Sequence, residues 1–220
     1  LLLFKTKYSG IILKNNYKNS IFTIDQLDIL DFGGGELNVT GEINYKNKDP
    51  IYDISVGLDH KDFSKVHHIF DLPKVLESFI VDEGLLKISL SGSSDKLKNQ
   101  IQFQNLNSKI NYTGLVELEN YLINGFKGDL EISANNLKDV LDIAEEGETI
   151  FVSEIEKKKN FLSIENIIVN NSNYKYAGNI KIKNQENNFF DLDIDLEANA
   201  LDFLTLQNIY NYFYLNSDNK

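Results

Sequence analysis

Apolar and polar residues alternate with a period of two along most of this chain, and this pattern constrains the fold more than any other feature. It is clearest from Glu36 to Tyr45, where odd-numbered positions are apolar or Gly and even-numbered positions are polar. Successive side chains of a β-strand point to opposite faces of a sheet, so the alternation predicts a half-buried strand. The same pattern predicts strands at 54–58, 86–90, 129–134, 180–182 and 191–198. We therefore expect a mainly β fold, an antiparallel sheet with one apolar and one wet face.

Three short segments have the apolar spacing of a helix instead of a strand. Each follows a residue type that commonly caps a helix N-terminus, namely Asp62, Asn136 and Asp202. We expect a short helix after each of these residues.

Strands and capped helices recur in the same order three times. A glycine precedes each capping residue by a similar distance, 21, 22 and 24 residues for Gly41, Gly114 and Gly178. In each unit we expect one strand to end and the next strand to begin at this glycine. This near-constant spacing predicts one supersecondary unit used three times, over approximately 20–80, 84–147 and 150–213. Residues 1–220 then form a single elongated region of stacked units.

Charge and composition exclude several classes of protein. The formal net charge is −11, with 22 Lys plus Arg, all of them Lys, against 33 Asp plus Glu. A nucleic-acid partner is not expected for such an acidic chain. The absence of Cys excludes disulfides, thiol chemistry and Cys-ligated zinc or iron–sulfur sites. The chain has no Met and begins at Leu1, so we expect it to be part of a longer protein.

No residue cluster predicts a metal site. His60, His67 and His68 lie together, but not with the spacing of a known metal motif. The residues Asp191-Leu-Asp-Ile-Asp195 match the first ligand positions of a calcium loop, but Leu196 stands where that loop needs Gly. A strand with solvated carboxylates is the better interpretation.

No motif predicts a cofactor or a catalytic centre either. Gly33-Gly34-Gly35 precedes a strand rather than a helix, so it lacks the helix N-terminus of a phosphate-binding loop and is interpreted as a tight turn or bulge. No Ser/His/Asp order stands out. We therefore expect a protein that is not an enzyme and has no cofactor.

The apolar face of the predicted sheet must be covered, and the sequence leaves two solutions open. A second sheet would give a closed sandwich, whereas a curled single sheet would give a groove that holds acyl chains. The candidate lining residues of such a lipid groove are Leu37, Val39, Ile43, Ile54, Val56, Leu58, Leu130, Ile132, Ile180, Ile182, Leu192, Ile194 and Leu196.

Several sequence phrases resemble the AsmA-like family of bacterial envelope proteins, the AsmA, YhdP and TamB type. These phrases are Phe32–Ile43, Leu162–Val169, Tyr176–Ile182 and the run Gly84–Gly92, in which apolar residues alternate between two glycines. The resemblance covers residues 20 to 213 approximately and consists of degenerate phrases rather than a catalytic signature.

The resemblance implies an elongated antiparallel repeating β-groove with a few short helices. It also implies a non-enzymatic lipid conduit in the periplasm, which takes part in phospholipid transport between inner and outer membranes and in outer-membrane biogenesis. The implied partners are phospholipid acyl chains, and the implied inner-membrane anchor belongs to a part of the parent protein outside this sequence. The alternative is a structural or scaffolding β-sandwich module of an envelope or surface protein.

Overall fold

Twelve β-strands form one open, curved antiparallel sheet in the computed structural model of the chain. The structure describes residues 8–65, 82–93, 95–119, 122–135, 147–158, 161–171, 175–184 and 190–198. The strands are β1 (Tyr8–Lys18), β2 (Ile21–Phe32), β3 (Gly35–Asn44), β4 (Ile51–His60), β5 (Gly84–Ser93), β6 (Lys96–Asn105), β7 (Ser108–Glu119), β8 (Leu122–Ala134), β9 (Thr149–Lys158), β10 (Phe161–Asn171), β11 (Lys175–Asn184) and β12 (Phe190–Ala198).

The order of the strands in the sheet is their order in the chain. Each strand pairs with its predecessor and its successor, so β1 and β12 lie at opposite edges. All twelve described strands belong to this one sheet, which confirms the predicted mainly β, elongated and curved fold. The described strands therefore do not form a sandwich of two sheets.

The two faces of the sheet differ in burial, as the period-two pattern predicts. In β3, Leu37 and Val39 are half-buried whereas Glu36 and Asn38 are exposed. We call the face that carries Leu37 and Val39 the inner face, and the face that carries Glu36 and Asn38 the outer face. The curvature of a single sheet brings the side chains on one side closer together, and here the inner face carries the buried apolar residues.

A compact core occupies one end of the inner face. At its centre, the ring of Phe63 packs edge-on against Phe103 with the ring centroids 5.0 Å apart, and both side chains are at most 1% exposed. Around them lie other buried apolar side chains from β2, β4, β5, β7 and β8. The cluster consists of Phe32, Leu58, Phe63, Leu86, Phe103, Ile110, Ile132 and Ala134.

Asp62 caps a short helical turn, as the sequence predicts. A 3-10 turn spans Phe63–Lys65, and the backbone N–H of Ser64 donates a hydrogen bond of 3.1 Å to Oδ1 of Asp62. Hydrogen bonds from Ser64 and Lys65 lower the pKa of the Asp62 carboxyl, which keeps the cap charged. The rest of this predicted helix and the helices expected after Asn136 and Asp202 lie outside the described residues.

The glycines that mark the predicted repeats lie inside strands, so the expectation that strands begin and end at them is wrong. Gly41, Gly114 and Gly178 lie within β3, β7 and β11. A Cβ at Gly41 would lie 2.2 Å from the carbonyl oxygen of Asp53, and the φ angle is +146°. Close approach of the neighbouring strand, rather than a turn, therefore requires glycine here.

The three glycine-bearing strands hold equivalent places along the chain. Each is the third strand of a group of four, namely β1–β4, β5–β8 and β9–β12. Residues 66–81 follow the first group and residues 136–146 follow the second, and both ranges lie outside the described residues. The division of the chain into three repeats stays a prediction, and β1 precedes the expected start of its first unit.

The Gly33-Gly34-Gly35 run forms the tight turn that was expected of it. Gly33 and Gly34 have φ angles of +67° and +103° and connect β2 to β3, and the Gly34 N–H donates a 3.0 Å hydrogen bond to Oδ1 of Asp31. Positive φ angles at two successive positions favour glycine over any other residue.

Replacing Phe103 with Ala is expected to lower the free energy of unfolding by about 3–5 kcal/mol, because it leaves a cavity beside Phe63. Chemical denaturation measures the change. Gln102→Ala is the matched control, since Gln102 is the preceding residue of β6 and is exposed on the outer face. It should change the stability by less than about 0.5 kcal/mol. Equal losses in the two variants would contradict the assignment of the faces.

Candidate functional site

Four rows of directly paired residues cross the inner face at right angles to the strands. We call these rows ladders and number them from the end that carries the core. The first ladder takes one residue from every strand, and all of its members are apolar or aromatic. It runs Ile11, Ile29, Leu37, Leu58, Leu86, Phe103, Ile110, Ile132, Phe151, Val169, Tyr176 and Ala198.

The other three ladders are mostly apolar but contain interruptions. The second begins at Leu13 and includes Ser153, where a β-bulge of β10 shifts the register. The third begins at Asn15 and ends at Ile194, and the fourth begins at Tyr17 and ends at Leu192. Glycines and a few polar residues interrupt them, and in the third ladder Asn99, Gly114 and Gly128 occupy three consecutive positions.

All thirteen residues predicted to line a groove lie on the inner face. The first ladder contains Leu37, Leu58 and Ile132; the second contains Val39, Val56 and Leu130, with Leu196 beyond the bulge; the third contains Ile54, Ile180 and Ile194; the fourth contains Ile43, Ile182 and Leu192. The structure thus brings together residues that lie up to 159 positions apart in the sequence.

Burial of these residues changes across the sheet. Leu58 is 1% exposed and Ile132 is 9% exposed, because both belong to the core. Most of the residues on the central strands are half-buried. At the β12 edge the exposed fraction rises to 54% at Leu192 and 52% at Ile194. The inner face is therefore closed at one end and exposes large apolar side chains at the edge.

The inner face also contains apolar residues that were not among the predicted lining set. Phe103 and Ile101 in β6, Ile110 in β7 and Phe151 in β9 lie in the first two ladders or pack against the core. In β6 the signal was present, since Leu97, Ile101 and Phe103 alternate with Lys and Gln.

His60 holds the glycine turn against the closed end. Its side chain is 1% exposed; Nε2–H donates to the carbonyl oxygen of Gly33 over 3.1 Å, and Nδ1 accepts from the Asp62 N–H over 3.0 Å. These two partners fix the tautomer. The ring also contacts Phe63 at a centroid distance of 5.8 Å. With both nitrogens occupied, His60 is a structural residue, whereas His67 and His68 lie outside the described residues.

Ion pairs lie on the outer face, both within β9 and between neighbouring strands. Glu156 lies 2.5 Å from Lys158 and 3.5 Å from Lys127, and these lysines lower the pKa of its carboxyl. Lys181 lies 3.1 Å from Glu165; the Ser163 hydroxyl and then this lysine lower the pKa of Glu165. The outer face is thus polar and charged opposite an apolar inner face.

The aspartates of β12 do not surround a common point that could hold a metal ion. Asp191, Asp193 and Asp195 lie on the outer face of β12 and are all exposed, so they extend along the strand rather than around one point. Among the described residues, no group of three His, Asp or Glu side chains could hold a metal ion. A shallow depression of about 290 Å³ between β2, β3 and β4 contains two directly opposed carboxylates, Glu42 and Asp53.

Comparison of the chain with protein-family models, with curated proteins and with solved structures gives no match. A helix long and apolar enough to cross a membrane is not found among the described residues. The resemblance to the AsmA-like family therefore stays a prediction from sequence phrases, and the inner face is the feature on which a functional proposal can be based.

Replacing His60 with Leu is expected to lower the free energy of unfolding by about 1–3 kcal/mol. The reason is that the carbonyl oxygen of Gly33 and the N–H of Asp62 each lose their hydrogen bond to the buried imidazole. Thermal and chemical denaturation measure the loss. Asp59→Ala is the control, because Asp59 is the preceding residue of β4 and is exposed on the outer face. A His60→Leu variant as stable as the control would show that the two hydrogen bonds contribute nothing.

Proposed function

We propose that this chain is a segment of a lipid conduit and acts without catalysis, as in the AsmA-like family that its sequence resembles. The second ladder is the observation that carries the proposal, because the central members of the first ladder are buried in the core. From β1 to β8 the second ladder presents an exposed or half-buried apolar or aromatic side chain on every strand, on one face of a sheet whose other face is polar. A continuous apolar surface of this kind marks a binding site for an apolar ligand.

The dimensions of the inner face suit an extended ligand. Paired strands lie about 4.8 Å apart, so twelve strands extend over about 50 Å in the direction of the ladders. The other ladders lie side by side with the first, which makes the surface broader than a single acyl chain. Acyl chains lying along the ladders would pass from strand to strand without leaving apolar contact.

The mechanism that we propose is passive sliding. Acyl chains contact Leu, Ile, Val and Phe side chains of the inner face, while the polar headgroups stay in water. Apolar contacts are non-directional and roughly proportional to area, so a chain that moves by one strand exchanges one set of contacts for an equivalent set. The free energy of a bound lipid therefore has few deep minima along this path.

Both edge strands extend the apolar surface to the limits of the sheet. Ile11 and Leu13 in β1 are 62% and 55% exposed, and Leu192 and Ile194 in β12 are exposed to a similar degree. Further strands of the same pattern, added at either edge, would continue the ladders in register. We propose that the segment belongs to a longer groove in the periplasm, and that other parts of the parent protein anchor it in the inner membrane.

Lipid that co-purifies with the chain tests the proposal. The chain is expressed in a host with membranes, purified, extracted with solvent and quantified by mass spectrometry. We expect bound phospholipid, and about a fivefold or larger loss of it in Ile194→Asp and Val56→Asp, because a carboxylate does not tolerate burial under acyl chains.

Ser55→Asp is the matched control. Ser55 precedes Val56 in β4 but is exposed on the outer face, so the same carboxylate is placed on the opposite side of the sheet. Lipid should be retained in this variant. A folded wild-type chain without lipid, or equal loss in all three variants, would instead favour the scaffolding module as the function.

A further inference from the structure

Two polar side chains interrupt the apolar inner face at the centre of the sheet, and each has a buried oxygen atom without a hydrogen-bond partner. Asn99 occupies a position of β6 at which the alternation calls for an apolar residue, and it is 8% exposed. Its Oδ1 atom and the hydroxyl of Tyr112 each have less than 1 Å² of accessible surface and no partner. Buried polar atoms without a partner are rare, since they are destabilising.

A pair of glycines brings these two groups together. In the third ladder Asn99 lies directly opposite Gly114, and Gly114 lies directly opposite Gly128. A Cβ at these glycines would lie 2.4 Å and 2.8 Å from the Tyr112 hydroxyl, so the tyrosine covers the space that two side chains would otherwise fill. Directly opposed residues have Cβ positions about 5 Å apart, so Asn99 and the Tyr112 hydroxyl both neighbour the Cβ position of Gly114.

The tyrosine is held in this position from one side. Its ring packs edge-on against Phe126, with the centroids 6.3 Å apart and the planes at 89°. Tyr112 as a whole is half-buried, and a change of its χ1 rotamer would turn the hydroxyl away from the glycines. We call Asn99, Tyr112, Gly114 and Gly128 the polar notch.

Burial alone would favour a different sequence at the notch. A leucine at position 99 would continue the third ladder, and phenylalanine at position 112 would cover the glycines without a polar atom. Burial, and secondarily the charge of Asp129, raises the pKa of Tyr112, so the phenol stays protonated and able to donate near neutral pH. The notch therefore offers one hydrogen-bond donor, Tyr112, and one acceptor, Oδ1 of Asn99.

We infer that the polar notch binds the hydroxyl group of a lipid whose chain lies along the ladders, an inference that rests on the proposed lipid conduit. A hydroxyl is the smallest group that can accept a hydrogen bond from Tyr112 and donate one to Asn99 at the same time. A lipid that carries a free hydroxyl next to its hydrocarbon chain pauses here, whereas a lipid without one slides past.

Ser153 is a third inner-face residue with an unpartnered buried polar atom, but it is not part of the notch. In the second ladder, Leu130 lies between Tyr112 and Ser153. The inference therefore depends on Asn99 and Tyr112 alone.

Two isomeric ligands separate hydrogen bonding at the notch from apolar binding. Dodecanol and methyl undecyl ether contain the same atoms, but only the alcohol can donate a hydrogen bond to Asn99. Displacement of a fluorescent apolar probe, N-phenyl-naphthylamine, from the full chain gives the affinity of each. We expect the wild-type chain to bind the alcohol about tenfold more tightly than the ether, the value of one added hydrogen bond to a buried acceptor.

The variants Tyr112→Phe and Asn99→Leu should reduce this preference to less than about threefold while they retain affinity for the ether. Tyr112→Phe removes a single oxygen atom and keeps the ring over the glycines. Tyr52→Phe is the control, since Tyr52 also lies on the inner face, in the fourth ladder, and should keep the full preference.

The outcomes distinguish the notch from the conduit. Equal affinity for the two isomers in the wild-type chain, or an unchanged preference in both notch variants, overturns the notch and leaves the lipid conduit standing. Failure of the wild-type chain to bind the probe and either isomer overturns the conduit and the notch together.

Discussion

Cross-strand register is the constraint on which the rest of this structure depends. Side chains alternate between faces with a period of two, so a slip of one residue in any pair of strands would move its apolar side chains to the outer face. Eleven strand pairs must therefore keep register for the first ladder to remain continuous from Ile11 to Ala198. Where the register shifts by a bulge, as between Ile24 and Leu27 of β2, the next apolar residue still returns to the inner face.

Two kinds of residue keep the strands in this register. Large apolar side chains do so through burial, as Leu58 and Phe103 show in the core. Glycines do so through close approach, since any side chain at Gly41 would collide with the backbone of β4. Ion pairs such as Lys181 with Glu165 add cross-strand contacts on the outer face, where exposure keeps each contribution small.

Much of the fold could be predicted from the sequence because alternation is a local signal. It locates β3, β4, β5, β8, β11 and β12. The turn at Gly33-Gly34 and the cap at Asp62 follow from two other local signals, a glycine run and helical apolar spacing after an acidic residue. Several other strands were not predicted; in β1, for example, Ile11, Ile12 and Leu13 are consecutive and mask the period of two. Curvature and strand order depend on pairing between strands, which no single segment encodes, so groove and sandwich could not be told apart.

The candidate site shows the same division between local and non-local information. The thirteen predicted residues share the inner face because face assignment needs only the local pattern. Their unequal burial, from Leu58 at 1% to Leu192 at 54%, depends on the position of each strand in the sheet. Asn99 could have been noticed as a polar residue between Leu97 and Ile101, but the glycines that Tyr112 covers beside it lie in two other strands.

The sequential order of the strands has a mechanical consequence. Each described strand pairs only with its chain neighbours, and β1 and β12 lie at opposite edges, so a pull on these two strands loads the sheet at right angles to its strands. Hydrogen bonds loaded in this direction break in one strand pair after another, instead of resisting the force all at once. A protein built in this way lengthens gradually under tension and re-forms each pair from contacts that are close in the chain.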